Sequence, residues 1–87
     1  MVYRVEIKPG AEKALAKLPR PHRERIGAKI EALAADPRPP GVEKLAGEDA
    51  MYRIRVGEYR VVYTIRDDIL LVLVVRVGHR REVYRGL

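Results

Sequence analysis

Val2-Tyr3-Arg4-Val5-Glu6-Ile7 is rich in β-branched residues and predicts a short first strand, closed by Pro9-Gly10. Ala11 to Leu18 is alanine-rich, with Ala14, Leu15 and Leu18 on one side, and predicts a short helix. Pro19-Arg20-Pro21 breaks it. Pro21 is suited to open a second helix, because its missing N–H is one of the donors a helix start leaves unpaired anyway. Ile26, Ile30, Leu33 and Ala34 then recur at helical spacing up to Ala35. Asp36-Pro37-Arg38-Pro39-Pro40-Gly41 ends that helix in a loop too short to separate two domains.

The pattern then changes. Met51–Val56, Tyr59–Ile65 and Ile69–Val77 are strand-like runs separated by Gly57-Glu58 and by Asp67-Asp68, which predicts an antiparallel meander. The third run is apolar at nearly every position, as in a central strand. Gly78 to Arg85 reads as a polar tail with room for one helical turn. The order β-α-α-β-β-β predicts an α+β two-layer sandwich, a mainly antiparallel sheet with a helical hairpin on one face, in a single domain spanning residues 1–87.

A two-residue turn at Gly57-Glu58 would set Arg55 opposite Arg60, Ile54 opposite Val61 and Arg53 opposite Val62. Side chains alternate across a strand, so Arg53, Arg55 and Arg60 share one face, and Tyr52, Ile54, Val56, Tyr59, Val61 and Tyr63 share the other. The apolar set is the one for the helices to cover, which leaves an open arginine face. Like charges directly opposite in a sheet are destabilising, so Arg55 against Arg60 points to an anion site more than to a merely polar surface. For Arg76 the parity of the Asp67-Asp68 loop decides. A two-residue loop buries it, a three-residue loop brings it to the open face, and the cost of an unpaired buried guanidinium favours the odd loop.

Composition sharpens this picture. The 87 residues contain no cysteine, which removes disulfides, thiolate metal sites and a cysteine nucleophile. His22 and His79 are too few and too far apart for a structural zinc site, and His22 reads as an inert surface residue. No cofactor is expected. The start shows no apolar signal-peptide core, and the longest apolar run, Ile69 to Val75, is far short of a membrane span. A cytoplasmic location is the corresponding expectation. Eighteen Lys/Arg against 12 Asp/Glu give a net charge of +6, which points to an anionic partner. Residues 1–50 carry ten basic and eight acidic side chains, a net of +2; residues 51–87 carry eight and four, a net of +4. All eight of those later cations are arginine, the better fork for phosphate, although a GC-rich coding sequence favours arginine as well.

Several of these segments have a family likeness. Lys44-Leu45-Ala46-Gly47, the run Tyr52 to Tyr63 (YRIRVGEYRVVY) and Val77-Gly78-His79-Arg80-Arg81-Glu82-Val83-Tyr84 resemble the RelE/ParE toxin superfamily, most closely its RelE branch. The resemblance covers nearly the whole chain. It implies the toxin of a type II toxin–antitoxin pair that cuts messenger RNA in the ribosomal A site without a metal, a ribose 2′-hydroxyl attacking the adjacent phosphate. It also implies that Arg60 and Arg80 are the catalytic arginines and Tyr84 the general base and base-stacking platform. Arg53, Arg55, Arg76, Arg81 and His79 are the accompanying candidates for phosphate and RNA contacts.

The chain departs from the family where members carry lysines, at Arg53 and Arg55. Arginine does not give up its proton, so neither serves as base, and that duty falls to Tyr84 or to His79. Glu82 is expected to pair with Arg80 or Arg85. Three functions compete: the ribosome-dependent endoribonuclease, a ParE-type inhibitor of DNA gyrase, and a member that binds antitoxin or RNA without cleaving. Messenger RNA and the 70S ribosome are the partners of the first reading. All three imply a toxin–antitoxin hetero-oligomer, with a mostly acidic antitoxin segment on the first strand, the helices and the sheet edge.

Overall fold

The computed structural model describes residues 2–45 and 50–84. Ala46-Gly47 of the quoted motif and the Arg85 side of the Glu82 pairing lie outside the described residues.

The chain forms β1 (Arg4–Ile7), α1 (Pro9–Ala16), α2 (Arg20–Ala32), β2 (Glu43–Lys44), β3 (Met51–Val56), β4 (Tyr59–Arg66) and β5 (Leu71–His79). The sheet order is β1-β5-β4-β3-β2. The α+β sandwich is as expected, with two additions. β1 runs parallel to β5, from Arg4 opposite Leu71 to Ile7 opposite Val74, so the sheet is mixed. The two-residue β2 pairs Glu43 with Arg53 and Lys44 with Tyr52 at the other edge. β5, the apolar third run, is accordingly an internal strand, between β1 and β4.

The first helix begins two residues early. Pro9-Gly10, expected to terminate the strand, instead forms its first turn, with Pro9 in the position where no N–H is needed. The Lys8 N–H just before it donates to Val74 O, which ties the helix start to β5. α2 delivers Ile26, Ile30 and, just past its end, Leu33 onto the sheet. These meet Ile54, Val56, Val61, Tyr63, Ile65, Val72, Val74 and Val77, all buried, the expected covered face. No described helix is long and apolar enough to cross a membrane.

At the far end of the molecule a polar clasp closes the core. Tyr63 is fully buried and its hydroxyl donates to Pro37 O at 2.7 Å. Arg38 grips both oxygens of Asp67 at 3.2 and 2.9 Å, and the Tyr3 hydroxyl donates to the same carboxylate at 2.5 Å.

Candidate functional site

The β3–β4 hairpin has the anticipated register. Val56 faces Tyr59, Arg55 faces Arg60, Ile54 faces Val61 and Arg53 faces Val62. Gly57 adopts φ +61° at the first central position of the turn, where a type II′ hairpin turn places glycine.

Arg76 also reaches the arginine face, by a different device. The β4–β5 connection has four residues, Asp67 to Leu70, an even loop that by itself would turn Arg76 toward the helices. A register shift then intervenes: Tyr63 faces Val74 but Val62 faces Arg76, so Val75 is an extra, bulged residue. The bulge, not an odd loop, restores the parity. Two rows therefore cross β3, β4 and β5: Arg53, Val62, Arg76 and, beside it, Arg55, Arg60, Gly78.

The sequence suggested an open arginine face, but the structure covers part of it. After His79 the chain turns, with Arg80 N–H donating to Glu58 O at 2.8 Å and Val83 N–H to His79 O at 3.0 Å. Residues 80–84 then fold back across the sheet. Val83 is buried and stands over Gly78, where an added Cβ would lie 3.6 Å from it. The Tyr84 hydroxyl accepts a hydrogen bond from Arg53 Nη1 at 2.8 Å, on β3. A segment that starts on β5 and ends over β3 must cross β4, and Arg60 and Val62 beneath it are 6% and 0% exposed. The alternation of strand side chains foretells the face but not a cover supplied by the following turn.

Each arginine is held differently. Arg53, half-buried, gives Nε and Nη2 to Glu43 Oε2 and Nη1 to Tyr84, with its guanidinium carbon 5.9 Å from the Tyr84 ring centroid. The bonds it donates to Glu43 first, then the one it donates to Tyr84, push its pKa further up, so it is permanently charged. Arg60 Nη1 donates to Gly57 O at 3.1 Å and Tyr59 O at 3.0 Å, while its buried Nε has no partner among the described residues. Arg76 Nη1 reaches Val83 O at 3.4 Å. Arg80 pairs with Glu58 at 2.9 Å rather than with Glu82. Arg55 is exposed and forms no ion pair with a described residue, and Arg81 is exposed on the tail.

His79 is not brought onto this face. Its register partner is Tyr59, on the helix side, and the two rings meet edge to face with centroids 5.9 Å apart. Its Nδ1 accepts the Arg81 N–H at 3.2 Å. His22, read as inert, packs at 5.1 Å on the Tyr59 ring and is half-buried.

Glu43 and Glu58 were not singled out in the sequence. Glu58 looked like a turn residue, and a two-residue strand is too short to show the alternation that would place Glu43 against Arg53. Beside Glu43, a cleft of about 460 Å³ opens at the β3 edge, lined by Lys29, Leu33, Asp36, Arg53 and Arg55 among others. No group of three or more described His, Asp or Glu side chains is placed to hold a metal ion. What the site offers is an array of fixed cations with one phenol oxygen among them, suited to a phosphodiester.

Comparison with known proteins identifies the relatives of the chain. A family model described as the ParE toxin of the type II toxin–antitoxin system parDE matches residues 5–84. The RelE1 protein of Methanocaldococcus jannaschii is 30% identical over 89 residues, covering 99% of each chain. Among solved structures, RelE in the archaeal RelE–RelB complex from Pyrococcus horikoshii superposes with a TM-score of 0.83 at 33% identity, covering 95% of this chain and all of that one. The RelBE2 toxin–antitoxin complex of Mycobacterium tuberculosis contains a chain that matches with a TM-score of 0.81 at 28% identity, covering 94% and 95%.

Proposed function

The chain belongs to the RelE/ParE toxin superfamily of type II toxin–antitoxin systems, and from that premise we propose that it is a ribosome-dependent endoribonuclease acting on messenger RNA in the A site. The observation that carries this reading is the pair of arginine rows on one sheet face with the Tyr84 hydroxyl held against Arg53.

In the reaction the 2′-oxygen bonds to phosphorus and the bond to the 5′-oxygen breaks. A 2′,3′-cyclic phosphate and a 5′-hydroxyl remain. Negative charge builds on the non-bridging oxygens, and preorganised cations aimed there supply the largest stabilising term. Arg55 presents its fork at the surface. Arg60, opposite it in the register, backs it with a second charge in a water-poor place, where electrostatic terms are stronger. Arg80 extends the cationic surface at the root of the tail. As the phenolate, its own proton first given to water, the Tyr84 oxygen next to the fixed charge of Arg53 is the group placed to take the 2′ proton, and its ring offers a stacking surface for a splayed base. Water protonates the leaving 5′-oxygen.

The P. horikoshii relative occurs in a RelE–RelB complex and the M. tuberculosis relative in the RelBE2 toxin–antitoxin complex. An antitoxin protein, acidic where it meets this basic surface, is the corresponding partner here, in a cytoplasmic hetero-oligomer. The ParE description of the family model favours a second reading, inhibition of DNA gyrase.

One experiment separates the two. Primer extension on translated messenger RNA, with ribosomes present and absent, compares wild type with Arg60→Met and Tyr84→Phe beside a gyrase supercoiling assay. Cuts within codons that need ribosomes and vanish in both variants support the endoribonuclease. Intact RNA with blocked supercoiling overturns it in favour of gyrase, and silence in both assays overturns both in favour of a binding member.

A further inference from the structure

We infer that Glu43 is a positioning residue of the cleavage site, acting through Arg53 on Tyr84; this rests on the endoribonuclease reading above.

The argument begins with the backbone. Gly41, at φ +87°, and the Val42 N–H bond to Pro39 O bring the chain out of its proline loop onto the edge of β3. The Leu45 N–H bond to Met51 O closes the far side. Between them the two residues of β2 pair with β3, and Glu43 stands directly opposite Arg53. That short strand places a carboxylate beside an arginine, an opposite-charge pair across the sheet.

Arg53 then divides its donors. Nε and Nη2 go to one oxygen of Glu43, which fixes the plane of the guanidinium, and Nη1 is left pointing at the Tyr84 hydroxyl, 2.8 Å away. Among the described residues the Tyr84 hydroxyl bonds only to Arg53, and Tyr84 follows a run of turns anchored through Val83 and the Arg80–Glu58 contacts. An arginine without an anchor samples many rotamers, and a phenol bonded to it would wander with it. Glu43 therefore sets where the Tyr84 oxygen sits without touching RNA.

Its charge has a second effect, of opposite sign. A carboxylate on the rim of a basic face opposes a polyanion. Replacing it by the isosteric amide makes the face more positive by one unit, which favours RNA binding. Loss of positioning and gain of charge thus act on different constants. Glu43→Gln lowers kcat by about 10- to 100-fold, the scale of a misplaced reacting group, while KM stays level or falls. Loss of fold would not separate the two in this way.

The test uses the full chain on ribosome-bound messenger RNA. It compares wild type, Glu43→Gln, Glu43→Asp, Tyr84→Phe and the Glu43→Gln/Tyr84→Phe double variant, with the Tyr84 ring signal followed in ¹³C-tyrosine spectra. A kcat loss in Glu43→Gln with KM not raised, partial recovery in Glu43→Asp, and a double variant no slower than Tyr84→Phe support the inference. So does a Tyr84 signal that sharpens to that of a mobile tail in Glu43→Gln. An unchanged kcat, or losses that multiply in the double variant, overturn it, since Glu43 would then act independently of Tyr84. A wild type that cuts nothing overturns the endoribonuclease reading instead. The ring signal still decides in that case: an unmoved Tyr84 in Glu43→Gln overturns the positioning link by itself.

Discussion

Arg60→Met should make the protein more stable and inactive. Arg60 is 6% exposed, lies under the tail, and makes two bonds to backbone carbonyls while its Nε has no partner among the described residues. A buried donor left unmade costs about 1–3 kcal/mol, and removing a guanidinium from water costs several kcal/mol more. Against this stand the two charged hydrogen bonds, about 1.5–3 kcal/mol each. These terms nearly cancel. Methionine has similar length and returns about 1.5–3 kcal/mol from burial in the same place. It also removes the repulsion from Arg55 directly opposite. The net is a gain of about 2 kcal/mol, which for a chain of this size raises Tm by roughly 8–16 °C.

The assay is a thermal melt by circular dichroism at neutral pH and moderate salt, paired with cleavage on programmed ribosomes. A Tm above wild type with cleavage lost marks a residue kept for its charge at the expense of stability. A variant that melts below wild type refutes the reasoning, because the guanidinium would then be a stabilising part of the fold.

Three further outcomes follow from the scaffold. Tyr63→Phe leaves Pro37 O without its partner and should lower stability by about 1–2 kcal/mol at pH 7, read from denaturant titration. Burial pushes the Tyr63 hydroxyl up to about 12, so its contribution is intact below pH 10 and lost as pH climbs from 10 to 12; the variant should show a flatter decline across that window, and an equally steep one counts against the assignment. The hydrogen bonds from Arg38 and then Tyr3 hold the Asp67 carboxyl down at about 2, so the stability it gives is present above the ordinary carboxylate pKa and is lost as pH falls toward 2. Asp67→Asn should therefore melt below wild type at pH 6, with the gap closing as pH drops to 2, and a gap that stays constant would contradict the clasp. Gly57→Val places a β-branched residue at φ +61° and should cost about 1–2 kcal/mol or more, while a variant as stable as wild type in chemical denaturation would argue against the turn geometry.

The parts of this molecule legible in the sequence are those set by local rules. The Gly57-Glu58 turn fixed a register, and alternation then sorted Arg53, Arg55 and Arg60 from Ile54, Val56 and Val61 without any tertiary information. Ile26, Ile30 and Leu33 likewise declared a helix face. What stayed hidden depends on partners distant in sequence. Parallel pairing of β1 with β5 has no turn between the strands to announce it. Pro9-Gly10 is as compatible with a helix start as with a strand end, and the context of β5 decided. The bulge at Val75 lies within an unbroken run of β-branched and leucine residues, where one extra residue changes no pattern. The fold-back of residues 80–84 was read as a polar tail because Val83 is its one aliphatic residue. That residue packs against Gly78, which has no side chain to exclude it, and the Arg80–Glu58 and Arg53–Tyr84 contacts hold the rest of the tail.

The treatment of the arginines bears on what each can do. Packing several like charges into two adjacent rows is unfavourable, and the fold relieves it unevenly. Arg53 and Arg80 are each matched by a carboxylate, Glu43 and Glu58. Arg55 and Arg60, opposite one another, have no carboxylate partner among the described residues, one in water and one beneath the tail. Arg53, with Nε, Nη1 and Nη2 all committed, gains little from a phosphate and holds Tyr84 in place, whereas Arg80 is engaged by Glu58 through Nε. An unmatched arginine retains its full attraction for an anion. On the proposed endoribonuclease reading, the paired positions act as the frame that places Tyr84 and the root of the tail, and a phosphate bound at the Arg55–Arg60 pair would relieve the repulsion that the protein leaves unrelieved.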